Sequence, residues 1–303
     1  MSAEAVTSRV LDHVLRLRAF ELFRGLPLES LHSLALAARV VRLAPGQPLA
    51  RSGEPWRALH LVLQGVLEAP GEGRPPISRE RVELLGALAV LSGEPLPCPI
   101  LARGTVDLLH IPADVLFEVL EEDFGATFEV LRNVARLMVN APVSAGGLPG
   151  GPAPREPESL DLVEKMMLLR RAFRLESASL TSFADLARGA TQSVADGKQP
   201  LWQRGDPTGD CVLVVAGSVE LTSTPSGEAL RVGTHGVLGA LDLIAGIPRR
   251  YDALPTKGTV LMFLPAALML GMLEDHFDAA LDVIAVLSRD ALRFTCGICE
   301  AKS

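Results

Sequence analysis

The sequence predicts a mainly β protein with α, built as two tandem β-roll (jelly-roll) domains, each flanked by N- and C-terminal helices. Three observations predict it. Turn glycines recur across the 303 residues at a nearly constant spacing: Gly46 with Gly197, Gly53 with Gly205, Gly65 with Gly217, and Gly86 with Gly239, at offsets of 151, 152, 152 and 153. Short β-prone runs lie between these glycines in both halves. A stretch rich in Pro and Gly, APVSAGGLPGGPAPREP, separates the halves and can neither propagate a helix nor fill a core. A steady offset over four glycines is the mark of a duplication into two large copies, not a solenoid of small units.

Each element follows from local pattern. Met1–Phe20 places Val6, Val10, Leu11, Val14 and Leu17 on one side of an amphipathic helix. A second periodic helix is expected over Leu28–Ala38, with its counterpart over Leu180–Ala190. In Arg39–Glu68, Pro45-Gly46, Ser52-Gly53 and Gln64-Gly65 reverse the chain between strands. Asp196-Gly197, Arg204-Gly205-Asp206 and Ala216-Gly217 do so in the second copy. Long amphipathic segments close the halves over Ala113–Val139 and Ala266–Phe294. The apolar run Val260–Leu273 is interrupted by Pro265, which ends a strand and starts a helix. The expected domains are 1–140, a linker 141–158, a second domain 159–295, and a tail 296–303.

Composition narrows the function. Hydrophobic residues make up 48% and charged residues 21%, as in a globular protein. With Lys+Arg 29 against Asp+Glu 36 the net charge is −7, which opposes nonspecific attraction to nucleic acid or an anionic membrane. No apolar run reaches the roughly 18 residues of a membrane span, and the N-terminus has no signal-peptide block. Four cysteines without a secretory leader suggest a reducing cytoplasm. Cys296-Gly-Ile-Cys299 offers two of the four ligands a closed zinc site needs and follows a helix, so it is expected to be an inert tail. No Ser-His-Asp order, paired carboxylates or Walker loop appears, and Gly71–Pro76 is a turn between strands. The expectation is no enzyme and no metal. Trp56, Trp202 and Tyr251 are scattered, so no aromatic platform for bases is expected.

PGQPLARSG with LHLVLQGVLE, and DGKQPLWQRG with CVLVVAGSVE, resemble the cyclic-nucleotide-binding domain family of catabolite activators and protein kinase A regulatory subunits. The resemblance covers roughly Phe20–Met138 and Ala172–Phe294. A cupin, the alternative with similar strand spacing, needs metal-binding histidines, and His60, His110 and His235 form no such cluster in sequence.

The resemblance implies a ligand cassette of the form Gly-Glu-Leu-Ala-Leu followed by Pro-Arg-Ala-Ala. Its glycine turn and helix start face a cyclic phosphate, its arginine pairs with that phosphate, and its glutamate accepts from a ribose hydroxyl. Carried over, the second copy has Gly239, Ala240 in place of the glutamate, Leu241, Asp242, Leu243, Pro248 and Arg249. The first has Gly86, Ala87 in place of the glutamate, Leu88, Ala89, Val90, Pro95 and then Leu96 in place of the arginine, with Pro97-Cys98-Pro99 after it. Losing the hydroxyl acceptor costs roughly 1–3 kcal/mol of binding. Losing the arginine costs roughly 3–5 kcal/mol, by analogy with a broken buried ion pair. The candidate ligand residues are therefore Gly239, Ala240, Leu241, Arg249 and Arg250, with Gly86, Ala87 and Leu88 the weaker set. Arg250 is expected to face outward, and Arg249→Leu to abolish anion binding while barely changing stability.

Relatives with a DNA-reading helix-turn-helix carry it after the long C-terminal helix, where nine residues follow Phe294 here. The expected function is a non-catalytic regulator of tandem cyclic-nucleotide-binding-like domains that signals through contact with an effector protein. Its candidate ligand, a cyclic nucleotide or other small anion, is expected in the second cassette, with no other cofactor. The alternative is a ligand-independent scaffold or interaction module with relic cassettes. Homo-oligomerisation, if it occurs, is expected through the long helices.

Overall fold

A computed structural model describes residues 3–69, 77–78, 84–95, 99–139, 159–175, 179–222 and 229–296. The expected linker, most of the tail with Cys299, the turn Gly71–Pro76, and Leu96, Pro97 and Cys98 lie outside these residues. Cα packing divides the chain into two units: Met1–Val134 with Ile284–Ser303, and Ala135–Val283.

The first half runs α1 (Ala3–Arg18), α2 (Leu28–Ala37), β1 (Arg39–Leu43), β2 (Pro48–Ala50), β3 (Ala58–Gln64), β4 (Val66–Glu68), β5 (Ile77–Ser78) and β6 (Leu84–Leu85). Then come α3 (Ala87–Ser92), β7 (Ile100–Ala102), β8 (Val106–Pro112), α4 (Ala113–Glu122) and α5 (Phe124–Met138). The second half runs α6 (Leu162–Phe173), α7 (Ala184–Gly189), β9 (Thr191–Val194), β10 (Cys211–Ala216), β11 (Val219–Thr222), β12 (Ala229–Val232) and β13 (Val237–Leu238). It ends with α8 (Ala240–Ala245), β14 (Asp252–Pro255), β15 (Val260–Leu264), α9 (Ala266–Asp275) and α10 (Phe277–Cys296).

Among the described residues each half forms two open antiparallel sheets, and no closed barrel. The first sheets have matching orders, β1-β8-β3-β6 and β9-β15-β10-β13. Both carry a bulge at the same place, between Val62 and Gln64 in one and between Val214 and Ala216 in the other. The second sheets are β2-β7-β4-β5 and β12-β11-β14. The counterpart of β2 has shrunk to a single bridge between Trp202 and Ala253. Among the described residues every strand pairs within its own half, as a duplication requires.

All eight repeat glycines have positive φ. Gly65 shows why one of them is glycine: an added Cβ would lie 2.5 Å from the Thr105 carbonyl oxygen and 2.9 Å from Val106 Cα, at φ +92. At its counterpart Gly217 an added Cβ would lie 2.7 Å from Thr259 Oγ1 and 2.9 Å from Thr259 Cα. Gly46 has φ +75 but nothing within 4 Å. Gly46→Ala should therefore cost about 1 kcal/mol, the backbone term alone. Gly65→Ala should cost about 2 kcal/mol, because the backbone itself must also shift. Equal midpoints in urea for the two variants would contradict the close approach.

Periodicity missed the helix breaks. The segments read as single helices divide at Asp123 (φ −136) and His276 (φ −132). Gly125 follows the first break by two residues, and Asp123 leaves the helix to accept a hydrogen bond from Ser30 at 2.9 Å. In the second half, Leu180–Phe183 is a 3₁₀ turn leading into α7. In α1, Val10, Val14 and Leu17 are buried as expected, but Leu11 is 58% exposed and belongs to the outer face. Pro265 separates β15 from α9 as the sequence predicts. Among the described residues no helix is long and apolar enough to cross a membrane.

Candidate functional site

The repeated Leu-Gly-Ala-Leu forms the same device twice. Gly86 (φ 84) and Gly239 (φ 78) adopt the left-handed conformation and open the short helices α3 and α8. Each helix stops at another left-handed glycine, Gly93 or Gly246. The two copies differ in what rests on the first glycine.

At Gly239 it is Arg249, with which an added Cβ would collide. Arg249 is 4% exposed, not a solvated loop residue. Its Nη2 donates to the Asp210 carbonyl at 2.6 Å and its Nη1 to the Gly239 carbonyl at 3.2 Å. Its guanidinium carbon stands 4.1 Å from the centroid of the Trp202 ring, a cation–π contact. Nε is buried without a partner. The backbone is held as firmly: Arg249 N–H donates to the Asp206 carbonyl, and Gly205 N–H to the Arg249 carbonyl, both at 2.9 Å.

Tyr251 completes the setting. Its hydroxyl accepts the Gly239 N–H at 3.0 Å, and its ring lies 5.9 Å from that of Trp202. Burial, with Asp242 nearby, pushes the phenol up to about 12. Residues scattered in sequence therefore converge on one glycine, although Trp202 and Tyr251 are buried in the core of the roll instead of offering open ring faces. Beside them lies a cleft of about 310 Å³, walled by Trp202, Asp206, Asp210, Val212, Arg249 and Phe263.

Arg250 does not face outward. Its Nε pairs with Asp242 Oδ1 at 2.5 Å and its Nη1 donates to the Val139 carbonyl at 2.7 Å, so its side chain is 18% exposed. Asp242 is fully buried in the first turn of α8. The last turn of α5 is tied to the same helix through Arg136 Nε, which donates to the Ala245 carbonyl at 3.1 Å. Ala240 and Leu241 are half-buried.

At Gly86 the indole of Trp56 takes the place that the guanidinium takes at Gly239, and an added Cβ would collide with it. Ala87 is buried and Leu88 half-buried. Trp56 packs edge-on against His60, 5.6 Å between ring centroids. His60 and His110, separate in sequence, face each other across β3 and β8 with Nε2 and Nδ1 3.0 Å apart. Arg39, opposite His110 on β1, approaches its Nε2 at 3.4 Å. An arginine only donates, so His110 Nε2 accepts, its Nδ1–H donates to His60, and His60 Nδ1–H is left without a partner. His235 belongs to the other unit. Among the described residues no group of three or more His, Cys, Asp or Glu is placed to hold a metal.

Sequence reasoning identified the glycines and Arg249 but missed Trp56, Asp210 and the Asp242–Arg250 pair. For the pair a signal was present: an acid and a base occupy two positions where the family pattern has small residues.

Residues 40–123 match the family model described as the cyclic nucleotide-binding domain. They span the first roll from β1 to the end of α4. No curated protein matches the chain. Among solved structures, the chain is similar to the regulatory domain of Toxoplasma gondii PKA crystallised with cAMP. That match has 16% identity, covers 94% of this chain and 97% of the other, and has a TM-score of 0.36. It is also similar to the regulatory subunit of a cAMP-independent protein kinase A from Trypanosoma brucei, at 15% identity, 96% and 90% coverage, and a TM-score of 0.36. The corresponding subunit from Trypanosoma cruzi, bound to guanosine, matches at 13% identity, 96% and 90% coverage, and a TM-score of 0.37.

Proposed function

We propose that this chain is a non-catalytic regulatory protein of tandem cyclic-nucleotide-binding-like domains, 1–140 and 159–295, that acts by contact with an effector protein. Both cassettes are closed by the chain's own side chains. The observation that carries this reading is Arg249. The one cationic side chain retained from the family pattern is spent on two carbonyls and an indole of its own domain. Trp56 fills the corresponding place in the first domain. Burial also governs the acidities near the second cassette. Burial raises both the Tyr251 phenol and the Cys211 thiol to about 12, which keeps each protonated and poorly nucleophilic at neutral pH. A reducing cytoplasm remains the proposed setting.

The second reading, a ligand sensor, is favoured by the cleft beside Arg249 and by the unpartnered Nε of that residue. Calorimetry of the purified protein with cyclic AMP and cyclic GMP separates the two. No heat is expected with either nucleotide at about 1 mM, a concentration that reads any binding stronger than roughly 4 kcal/mol. A dissociation constant near 10 μM for either one would establish the sensor.

A further inference from the structure

We propose that helix α6 is a self-association surface, which pairs antiparallel with the α6 of a second copy of this chain.

The helix presents two faces. Met166 and Leu169 are buried in its own domain. On the other side Val163 is 54% and Met167 61% exposed, beside exposed Glu164 and Arg171 and half-buried Leu168. Glu164, Met167, Leu168 and Arg171 stand at i, i+3, i+4 and i+7, so they share one face.

That face is its own complement. About the midpoint between Met167 and Leu168, Glu164 mirrors Arg171, Asp161 mirrors Arg174, and Val163 mirrors Ala172. A second α6 laid antiparallel therefore sets each acid against a base and apolar residues against each other at the centre. This is the reciprocal contact that a two-fold axis requires. It also opposes the two helix dipoles. The only like-charged match is Lys165 with Arg170, and both are drawn toward their own domain. Lys165 Nζ donates to the Ala190 carbonyl at 2.9 Å, and Arg170 Nε to the Leu175 carbonyl at 3.4 Å. The capping box engages Oδ1 of Asp161 and Oε2 of Glu164. The second copy's arginines would take the other oxygens.

The first repeat supplies a control. Leu11 and Leu15, 152 positions before Val163 and Met167, are exposed apolar residues on α1. The positions matching Leu168 and Arg171 are Arg16 and Ala19, and Arg16 is bound to Asp12 at 2.7 Å. The apolar pair is thus repeated, but the mirrored charge order belongs to α6. The complement that α6 calls for lies on the same helix, which makes a second copy its occupant. The seam is shorter than the long helices first expected to join copies. One helix face is small beside a standard interface, so a dissociation constant of roughly 10–100 μM is expected.

The test is sedimentation equilibrium of the full chain from about 5 to 300 μM, after circular dichroism and a cooperative melt establish that each variant folds. The wild type should pass from one chain toward two across this range. Met167→Glu should weaken association at least about tenfold, and Leu15→Glu should leave it unchanged. Arg171→Glu and Glu164→Arg should each weaken it alone, and an equimolar mixture of the two should restore it, because the mixed pair regains both acid–base matches. A wild type that stays monomeric to 300 μM overturns the proposal and leaves the face to a different protein. A dimer that Met167→Glu does not weaken, or that Leu15→Glu abolishes, also overturns it by placing the contact elsewhere. Should Glu164→Arg not fold without its cap, Met167→Glu against Leu15→Glu still decides.

Discussion

The midpoint of thermal unfolding should fall by roughly 6–12 °C as the pH is lowered from 7 to 4, and substituting His60 should remove most of that fall. The cause is the rung Arg39–His110–His60, which runs from exposed Arg39 through half-buried His110 to buried His60. Burial, and next the charge His110 would carry, bring the His60 imidazole from 6.5 down to about 4. His110 is lowered too, by burial and then by Arg39. In the unfolded chain His60 takes up a proton near pH 6.5, whereas in the folded chain it resists protonation until about pH 4. Between those values the unfolded state binds more protons, so stability is complete above pH 6.5 and is lost as the pH falls toward 4. A shift of this size corresponds to about 3 kcal/mol. Asp107, held below the usual carboxylate range by its hydrogen bond to Arg42, contributes with the same sign but at lower pH. His60→Leu, melted across the same range, should therefore give a flatter profile above pH 4. An unchanged profile would place the sensitivity elsewhere.

The rung illustrates what could and could not be read from the sequence. Gly46, Gly65 and Gly86 with their partners were legible because a left-handed backbone narrows the choice of residue, and that constraint is local. Pro265 was legible for the same reason, since its ring donates no N–H and fits the start of a helix. Strand register is not local. That His60 faces His110 and Arg39 follows from three strands lying side by side, and residues 39, 60 and 110 share no period. The breaks at Asp123 and His276 were hidden because the apolar pattern continues across them. Asp123 leaves the helix for Ser30, 93 residues away. In the site, the glycine turns and Arg249 came from the family pattern. That pattern describes what a ligand would need, and so it could not show what fills the place without one. Trp56 lies 30 positions before Gly86 and Trp202 37 before Gly239, and neither spacing marks them as neighbours.

Arg249→Leu should destabilise the protein by roughly 2–3 kcal/mol, against the sequence expectation of almost no change. That expectation treated Arg249 as a solvent-facing ligand residue, and the structure makes it an interior tie. Leucine leaves the Asp210 carbonyl without its charge-assisted donor at 2.6 Å. It also removes the cation from the face of Trp202, worth roughly 0.5–2 kcal/mol in a desolvated place. The Gly239 carbonyl loses less, because Leu243 N–H also bonds to it at 3.1 Å. Relief from burying the guanidinium offsets part of the cost, which keeps the sum below that of breaking a buried ion pair. Arg249→Lys discriminates between the roles. It keeps the charge that a phosphate would need, but a single ammonium cannot span the Gly239 and Asp210 carbonyls and lie flat on an indole. If Arg249 is an interior tie, urea unfolding should show Arg249→Lys losing about half or more of what Arg249→Leu loses, with no change in nucleotide heats. A wild-type midpoint for Arg249→Leu would mean that these contacts contribute nothing, and the closed-cassette reading would lose the observation that carries it.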